Sequence, residues 1–402
     1  MARIALYGCC ALAAAISSFS AAQEAVTIRQ AVDAAWEKSV QLPAASGRVG
    51  VARARRLAAD SPWAAPPSLD ILNRGEPLRA SAAGQRETEV GVAWPLLLPG
   101  QRSARIGSAD SELGSSEAGL RAAKLAIAGE VREAAWTVLA REAELALAES
   151  QAKALLQLAA DVDRRVAAGD LARADSLAAR AEALAASNAA REAAPRLEAA
   201  RARWRVLTGL PAVPAALEPA AAEVSPDEHP EMAAATLRLE TARKRLDLTR
   251  AERRDPPELM LRYRNEVAAS GLPSQNSIGV AVRIPFATDS RNAPREAAVL
   301  AEVEVALAEE RRTRERLAAE LASAKALASA TEQQVAQEES RAALLRERAR
   351  LIDRSFRAGE TALPELLRTL SAAAQAESSL ARQRAELGLA RARVQQAAGV
   401  LP

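Results

Sequence analysis

Four carboxylates stand out because their spacing repeats. Asp170 and Asp175 follow Gly169, and Glu360 and Glu365 follow Gly359 at the same intervals. Acids placed so could ring a pore mouth and favour cations there. They could equally satisfy the free amides and the dipole where a helix begins. Arg164, Arg165, Arg354 and Arg357 come just before the glycines, and there they complement a helix C-terminus rather than bind substrate. His229 is the single histidine, precedes Pro230 in a linker and reads as exposed. The two cysteines are Cys9 and Cys10. One histidine and no later cysteine argue against a soft-metal site. No nucleophile–base pair, phosphate loop or metal-ligand cluster appears, so neither an enzyme nor a cofactor is expected. Trp63, Trp94, Tyr263 and Phe286 could form an interfacial aromatic girdle, or could pack ordinarily where sheet meets helix.

The elements that must carry these residues are long. From Ile127 to Val166 there is no proline, and two heptad tracks run through the segment. One is Val131, Val138, Leu145, Ala152, Ala159, Val166. The other is Ile127, Ala134, Ala148, Leu155, Val162, broken only at Arg141. Such spacing keeps a narrow stripe against a partner helix and implies a left-handed supercoil. A helix from Arg102 to Ala168 would be about 100 Å long, folding back at Gly169. Pro195 is expected to kink the return helix. The second half repeats the first. Ala167 to Leu177 aligns without gaps on Arg357 to Leu367, and Gly91 to Leu96 on Gly279 to Ile284. Two markers at nearly one offset mean a tandem duplication. Leu366, Ala373, Leu380, Leu387 and Val394 continue the pattern at strict sevens.

Between the helical stretches lie alternating segments. Thr88, Val90, Val92 and Trp94 alternate with Glu87, Glu89, Gly91 and Ala93, and Ile278, Val280, Val282 and Ile284 alternate with small or polar residues. Period two with one apolar face predicts strands, of a length that crosses a membrane at a tilt. The segment 1–22 reads as a secretory leader, with Arg3, an apolar run from Ile4 to Phe19 and a small-residue site at Ser20-Ala21-Ala22. Thr27 is a candidate N-cap for a helix whose apolar face is Ile28, Ala31, Val32, Ala35 and Trp36, and a second short helix follows, separated from the first near Pro43. Net charge is only +3 with both signs interspersed, which does not suggest a nucleic-acid surface.

The chain therefore divides into a leader over 1–22 and N-terminal helices over 23–66. The first repeat spans 67–210, with a strand pair over 67–96 and a helical hairpin over 102–207 whose tip is at 169. After a linker over 211–229, the second repeat spans 230–402, with a helix over 230–254, a strand pair over 258–286 and a hairpin over 292–398 whose tip is at 359. Two strand pairs cannot close a barrel, and open edges are not tolerated in lipid. Three chains would supply twelve strands and twelve hairpin helices. The expected fold class is mainly α with a small membrane β-barrel, closing as a trimer into a 12-strand barrel and a 12-helix tube.

Over essentially the whole chain the sequence resembles the TolC-like outer-membrane efflux factors. The resemblance rests on the duplication, the leader, the order of strand pairs and hairpins, and a Gly-x5-acidic-x-Leu pattern at each tip. That pattern is Gly169, Asp175 and Leu177 in one repeat, and Gly359, Glu365 and Leu367 in the other. Trp94 to Arg105 is similar to the strand-to-helix junction of the heavy-metal (CzcC/CusC-like) branch, departing from it at Pro99-Gly100-Gln101-Arg102. The resemblance implies a homotrimeric exit duct in the outer membrane lipid of a Gram-negative bacterium, with a long periplasmic extension whose equator the N-terminal helices gird. Its partners would be a periplasmic adaptor and an inner-membrane transporter of the RND type, with no nucleic acid. It further implies that the tips close the periplasmic entrance and dock the adaptor, with Asp170, Asp175, Leu177, Phe356, Glu360, Glu365 and Leu367 at that site. Relatives can carry a locking basic residue where this chain has Thr361, and another acid where it has Arg368. The same gate ion pairs are therefore not expected. A periplasmic coiled-coil adaptor or scaffold without a channel is the competing reading, but neither needs two hairpins together with alternating strands.

Overall fold

The computed structural model describes residues 26–75, 84–214, 226–268, 272–286 and 289–402. The expected leader and the middle of the expected linker lie outside the described residues. Helix α1 (Ile28–Lys38) opens on a capping box: the Gln30 amide donates to Thr27 Oγ1 at 3.2 Å, and the Thr27 amide donates to Gln30 Oε1 at 2.9 Å. It buries Ala31, Val32, Ala35 and Trp36. Helix α2 (Gln41–Ala59) follows after a break at Ser39 and Val40 and takes Pro43 into its first turn. A first-turn proline loses no ladder bond, so the break falls just ahead of Pro43 rather than on it.

Strands β1 (Ser68–Gly75) and β2 (Arg86–Pro95) lead into α3 (Gln101–Ala168), which is one continuous helix of 68 residues. Gly169 turns the chain into α4 (Arg173–Thr208). After α5 (Pro230–Ala251) come β3 (Glu258–Val267) and β4 (Gln275–Arg283). Then α6 (Asp289–Arg357), of 69 residues, returns through Gly359 as α7 (Leu363–Ala397). The expected strand pair over 258–286 stops at Arg283, short of Ile284, since Pro285 offers no amide for pairing. Helix α6 starts three residues before the expected Asn292 and carries Pro294 inside it, as α4 carries Pro195.

Helices of this length, about 100 Å each, exceed their return partners, because α4 has 36 residues and α7 has 35. The returns pack on the tip-proximal halves. The other halves of α3 and α6 are covered by α5, which touches both, and α3 also by α2. Both heptad tracks of α3 face inward: Val131, Val138 and Val162 are fully buried, and Ile127, Ala152, Leu155 and Ala159 nearly so. Mid-molecule, Ile127, Val131 and Val138 meet Trp36, Leu197 and Trp204. Trp204 donates its indole N–H to the Ala212 carbonyl at 3.1 Å, which settles its one buried donor. Nearer the tips a second cluster joins α3, α4, α6 and α7. No helix among the described residues is long and apolar enough to cross a membrane.

The four strands form one antiparallel sheet in the order β1-β2-β3-β4. The β2–β3 pairing joins the two repeats, and β1 and β4 stand at the edges.

Candidate functional site: hairpin tips and sheet

Both tips are built the same way. Gly169 (φ +89°) and Gly359 (φ +80°) take the left-handed conformation that other residues avoid. The next amide reaches back to close the helix: Asp170 N–H donates to the Arg165 carbonyl at 2.9 Å, and Glu360 N–H to the Ser355 carbonyl at 2.9 Å. The four acids then diverge. Asp170 is exposed in the turn, ahead of the helix start. Asp175 accepts the Ala172 amide at 3.2 Å, so it caps α4. Glu360 accepts from Ser355 Oγ at 3.3 Å, and Ser355 also meets the Thr361 hydroxyl at 2.6 Å. Glu365 lies between Arg348 at 2.9 Å and Arg368 at 3.1 Å. Arg368, one turn on, thus neutralises the acid beside it. At the first tip Asp163 takes hydrogen bonds from Ser176 at 2.5 Å and Arg180 at 3.0 Å, and these hold its carboxyl below the usual range.

The tips are tied to each other. Phe356 is buried among Val162, Leu363 and Leu366. The Arg165 guanidinium lies 5.1 Å from the Phe356 ring centroid and donates to its carbonyl at 3.5 Å, while Asp161 pairs with the same arginine at 3.3 Å. Arg165 therefore bridges two hairpins rather than merely serving its own helix end. Arg164 and Arg357 pair with Asp161 and Asp353 one turn back. Leu177 stands exposed, whereas its counterpart Leu367 is partly buried against the tip cluster.

His229, expected to be exposed, is buried at 3% exposure. Its Nδ1 accepts the Glu231 amide at 3.1 Å, capping α5, and the turn at Gly399 closes over the ring. Burial lowers its pKa. Beside it Arg132, also buried, donates to Gln396 Oε1 at 2.6 Å and to the Val400 carbonyl at 2.9 Å, and Gln396 donates to the Leu125 carbonyl at 2.9 Å. These bonds fasten the end of α7 onto α3. Nothing in the heptad pattern marks Arg132.

The sheet has two unlike faces. On one, directly opposed residues form rows: Trp94, Leu259 and Val282; then Leu69, Val92, Leu261 and Val280; then Ile71, Val90, Tyr263 and Ile278. The next row is Asn73, Thr88, Asn265 and Asn276, where the Tyr263 hydroxyl and the Asn265 amide both donate to Asn276 Oδ1, at 3.0 and 2.6 Å. This apolar band is solvent-exposed in the single chain, with Ile71, Ile278 and Val280 69%, 77% and 70% accessible. The other face carries Arg262–Glu89 (3.2 Å), Arg264–Glu87 (2.8 Å), Arg264–Glu266 (2.9 Å) and Arg283–Glu258 (3.1 Å). Gly91 leaves room for the Arg262 stem, which an added Cβ would meet at 3.1 Å. Trp63 bridges to Leu96 at the helix-proximal end, Trp94 is in the first apolar row and Phe286 is exposed just beyond β4. Tyr263 is at the far edge of the band, against the asparagine row.

No protein-family model matches the sequence, and no curated protein does. Solved structures do. VceC, an outer membrane protein of Vibrio cholerae, superposes with a TM-score of 0.76 at 15% identity, over 92% of this chain and 96% of its own. CusC, whose structures concern folding and transmembrane channel formation, gives 0.76 at 16% identity, over 92% of both chains. The chain has the TolC-like outer-membrane channel fold. The open state of the Neisseria gonorrhoeae MtrE outer membrane channel superposes equally, with a TM-score of 0.76 at 17% identity over 92% of this chain and 88% of that one. In the TolC-like fold the two structural features found here, paired tips and a two-faced sheet, lie at opposite ends of the long helices.

Proposed function

We propose that the chain is the outer-membrane exit duct of a tripartite efflux or export system. It assembles as a homotrimer and conducts passively what an inner-membrane transporter of the RND type and a periplasmic adaptor deliver. The observation that carries this reading is the sheet. A continuous exposed apolar face backed by an ion-paired polar face, with both edges unpaired among the described residues, suits a barrel wall between lipid and water. A periplasmic scaffold or adaptor has no use for that face. The aromatic residues fit the same picture: Trp63, Trp94 and Phe286 at one margin of the band and Tyr263 at the other match the two interfacial belts. The helices then reach roughly 100 Å into the periplasm, and the tips, with Gly169, Asp170, Asp175, Leu177, Phe356, Gly359, Glu360, Glu365 and Leu367, form the gated entrance and the adaptor-docking end.

The test is single-channel conductance of the detergent-purified protein in a planar bilayer, with its mass measured alongside. A trimer with small, cation-preferring openings is expected, and Asp175→Ala combined with Glu365→Ala enlarges them by releasing the α4 cap and the Arg348–Glu365–Arg368 cluster. A monomer that never inserts would overturn the duct.

A further inference from the structure

Four exposed leucines near the tips have no partner helix among the described residues. The helices are ordered α4-α3-α7-α6: α3 packs along both α4 and α7, α7 packs along α6 and only lightly meets α4, and α4 and α6 do not touch among the described residues. Helices α4 and α6 are therefore the two flanks. On α4, Leu177 and Leu184 are 59% and 65% exposed. At 3.6 residues per turn they lie opposite Ala179, Ala183 and Ala186, the residues buried toward α3. On α6, Leu344 and Leu351 are 69% and 51% exposed. They lie opposite Val335, Ala342 and Ala349, which are buried on the side facing α7.

The two pairs match in height. Leu177 follows Gly169 at the same separation by which Leu351 precedes Gly359, and Leu184 and Leu344 are matched in the same way one heptad further out. Both pairs thus stand about 12 Å and about 22 Å from their tip glycines. The flanks run antiparallel, as neighbours do throughout the bundle. Heptad spacing within each pair is what an antiparallel seam requires.

We infer that adjacent copies of this chain are joined near the tips by an apolar seam, with Leu177 of one copy against Leu351 of the next and Leu184 against Leu344. The inference rests on the ring proposed above and names the contact that closes its lower end. The sheet supports the same neighbour relation, because its open edges belong to repeat one at β1 and repeat two at β4, just as the open helical flanks do. The charges at that height do not oppose it. Arg180 and Arg348 are equally far from their tip glycines in the sequence. Each is already neutralised in its own chain, by Asp163 at 3.0 Å and by Glu365 at 2.9 Å. Burying four leucine faces per junction removes exposed apolar area that a single chain leaves in water.

Cysteine cross-linking of the full chain tests the seam. Leu177→Cys with Leu351→Cys, and separately Leu184→Cys with Leu344→Cys, are treated with a short bismaleimide in the detergent-solubilised protein. Covalent dimers and trimers are expected at least tenfold above the mismatched pair, Leu177→Cys with Leu344→Cys, and above each single variant, which controls for Cys9 and Cys10. A chain that is trimeric by light scattering yet gives no ladder from either matched pair overturns the seam and leaves the duct standing. Equal maleimide labelling of the single cysteines in trimer and dissociated chain does the same, and would assign the leucines to an outward-facing partner such as the adaptor. A parent chain that never assembles overturns the ring and the seam together.

Discussion

At the scale of single residues, the tips and the mid-chain histidine show that a side chain's position in the sequence pattern does not by itself fix its role. Asp175 and Glu365 occupy equivalent positions, yet one caps a helix through the Ala172 amide and the other sits between Arg348 and Arg368. His229 gives the sharper test. Burial holds its pKa below the ordinary imidazole value, while Glu231 and Glu320 act against this and Arg316 with it; Arg393 of α7 lines the same cavity. The folded chain therefore binds this proton less readily than the unfolded one. Stability from the neutral ring is complete above the unfolded value of about 6.5 and is lost as pH falls from there toward the folded value. The thermal unfolding midpoint should drop between about pH 7.5 and pH 5, and His229→Asn, which keeps a side-chain acceptor for the Glu231 amide, should flatten that drop. A pH dependence that is unchanged in the variant would place the titration elsewhere. The burial was not legible beforehand because Gly399, which closes on the ring, is far away in the chain and comes near only through the fold. Thr27, by contrast, was readable, since a capping box lies within four consecutive residues.

At the scale of elements, the heptad tracks announced the hairpins because a 3.5-residue repeat has to face something. What they could not announce is which second helix α3 would meet beyond its return partner. The α3–α7 contact depends on Gly388. It is buried, and a Cβ built there would fall 2.1 Å from the Trp136 ring. A glycine inside a good helix costs about 1 kcal/mol relative to alanine, and that penalty is itself a sign of close packing. Gly388→Ala should gain the propensity term and lose more through overpacking, for a net destabilisation of about 1–3 kcal/mol in denaturant unfolding. Gly388→Ala combined with Trp136→Leu should recover most of the loss, which separates the clash from any effect on α7 alone. A stabilised single variant would mean that α3 and α7 can move apart freely at this height.

At the scale of the whole molecule, the two faces of the sheet decide where it can reside. Alternation in β2 and β4 was visible in the sequence. The match of rows across all four strands was not, because it depends on the β2–β3 register joining residues from different repeats. Val280 and Ala281, adjacent in β4, alternate onto opposite faces, and the β3–β4 register sets Val280 against Leu261 in the apolar band and Ala281 against Met260 on the polar face. If the band faces lipid in the proposed trimer, an arginine at Val280 must be buried in hydrocarbon once per copy, while an arginine at Ala281 points into water beside the existing Arg–Glu pairs. Near a bilayer midplane an outward arginine costs about 2–4 kcal/mol per chain. Multiplied over a trimer, this is comparable to the whole stability of an ordinary domain. Val280→Arg should therefore abolish recovery in the outer-membrane fraction and insertion into preformed lipid vesicles, whereas Ala281→Arg should insert and alter only conductance. If the two variants insert equally well, the sheet does not face lipid, and its apolar rows must be covered by protein instead.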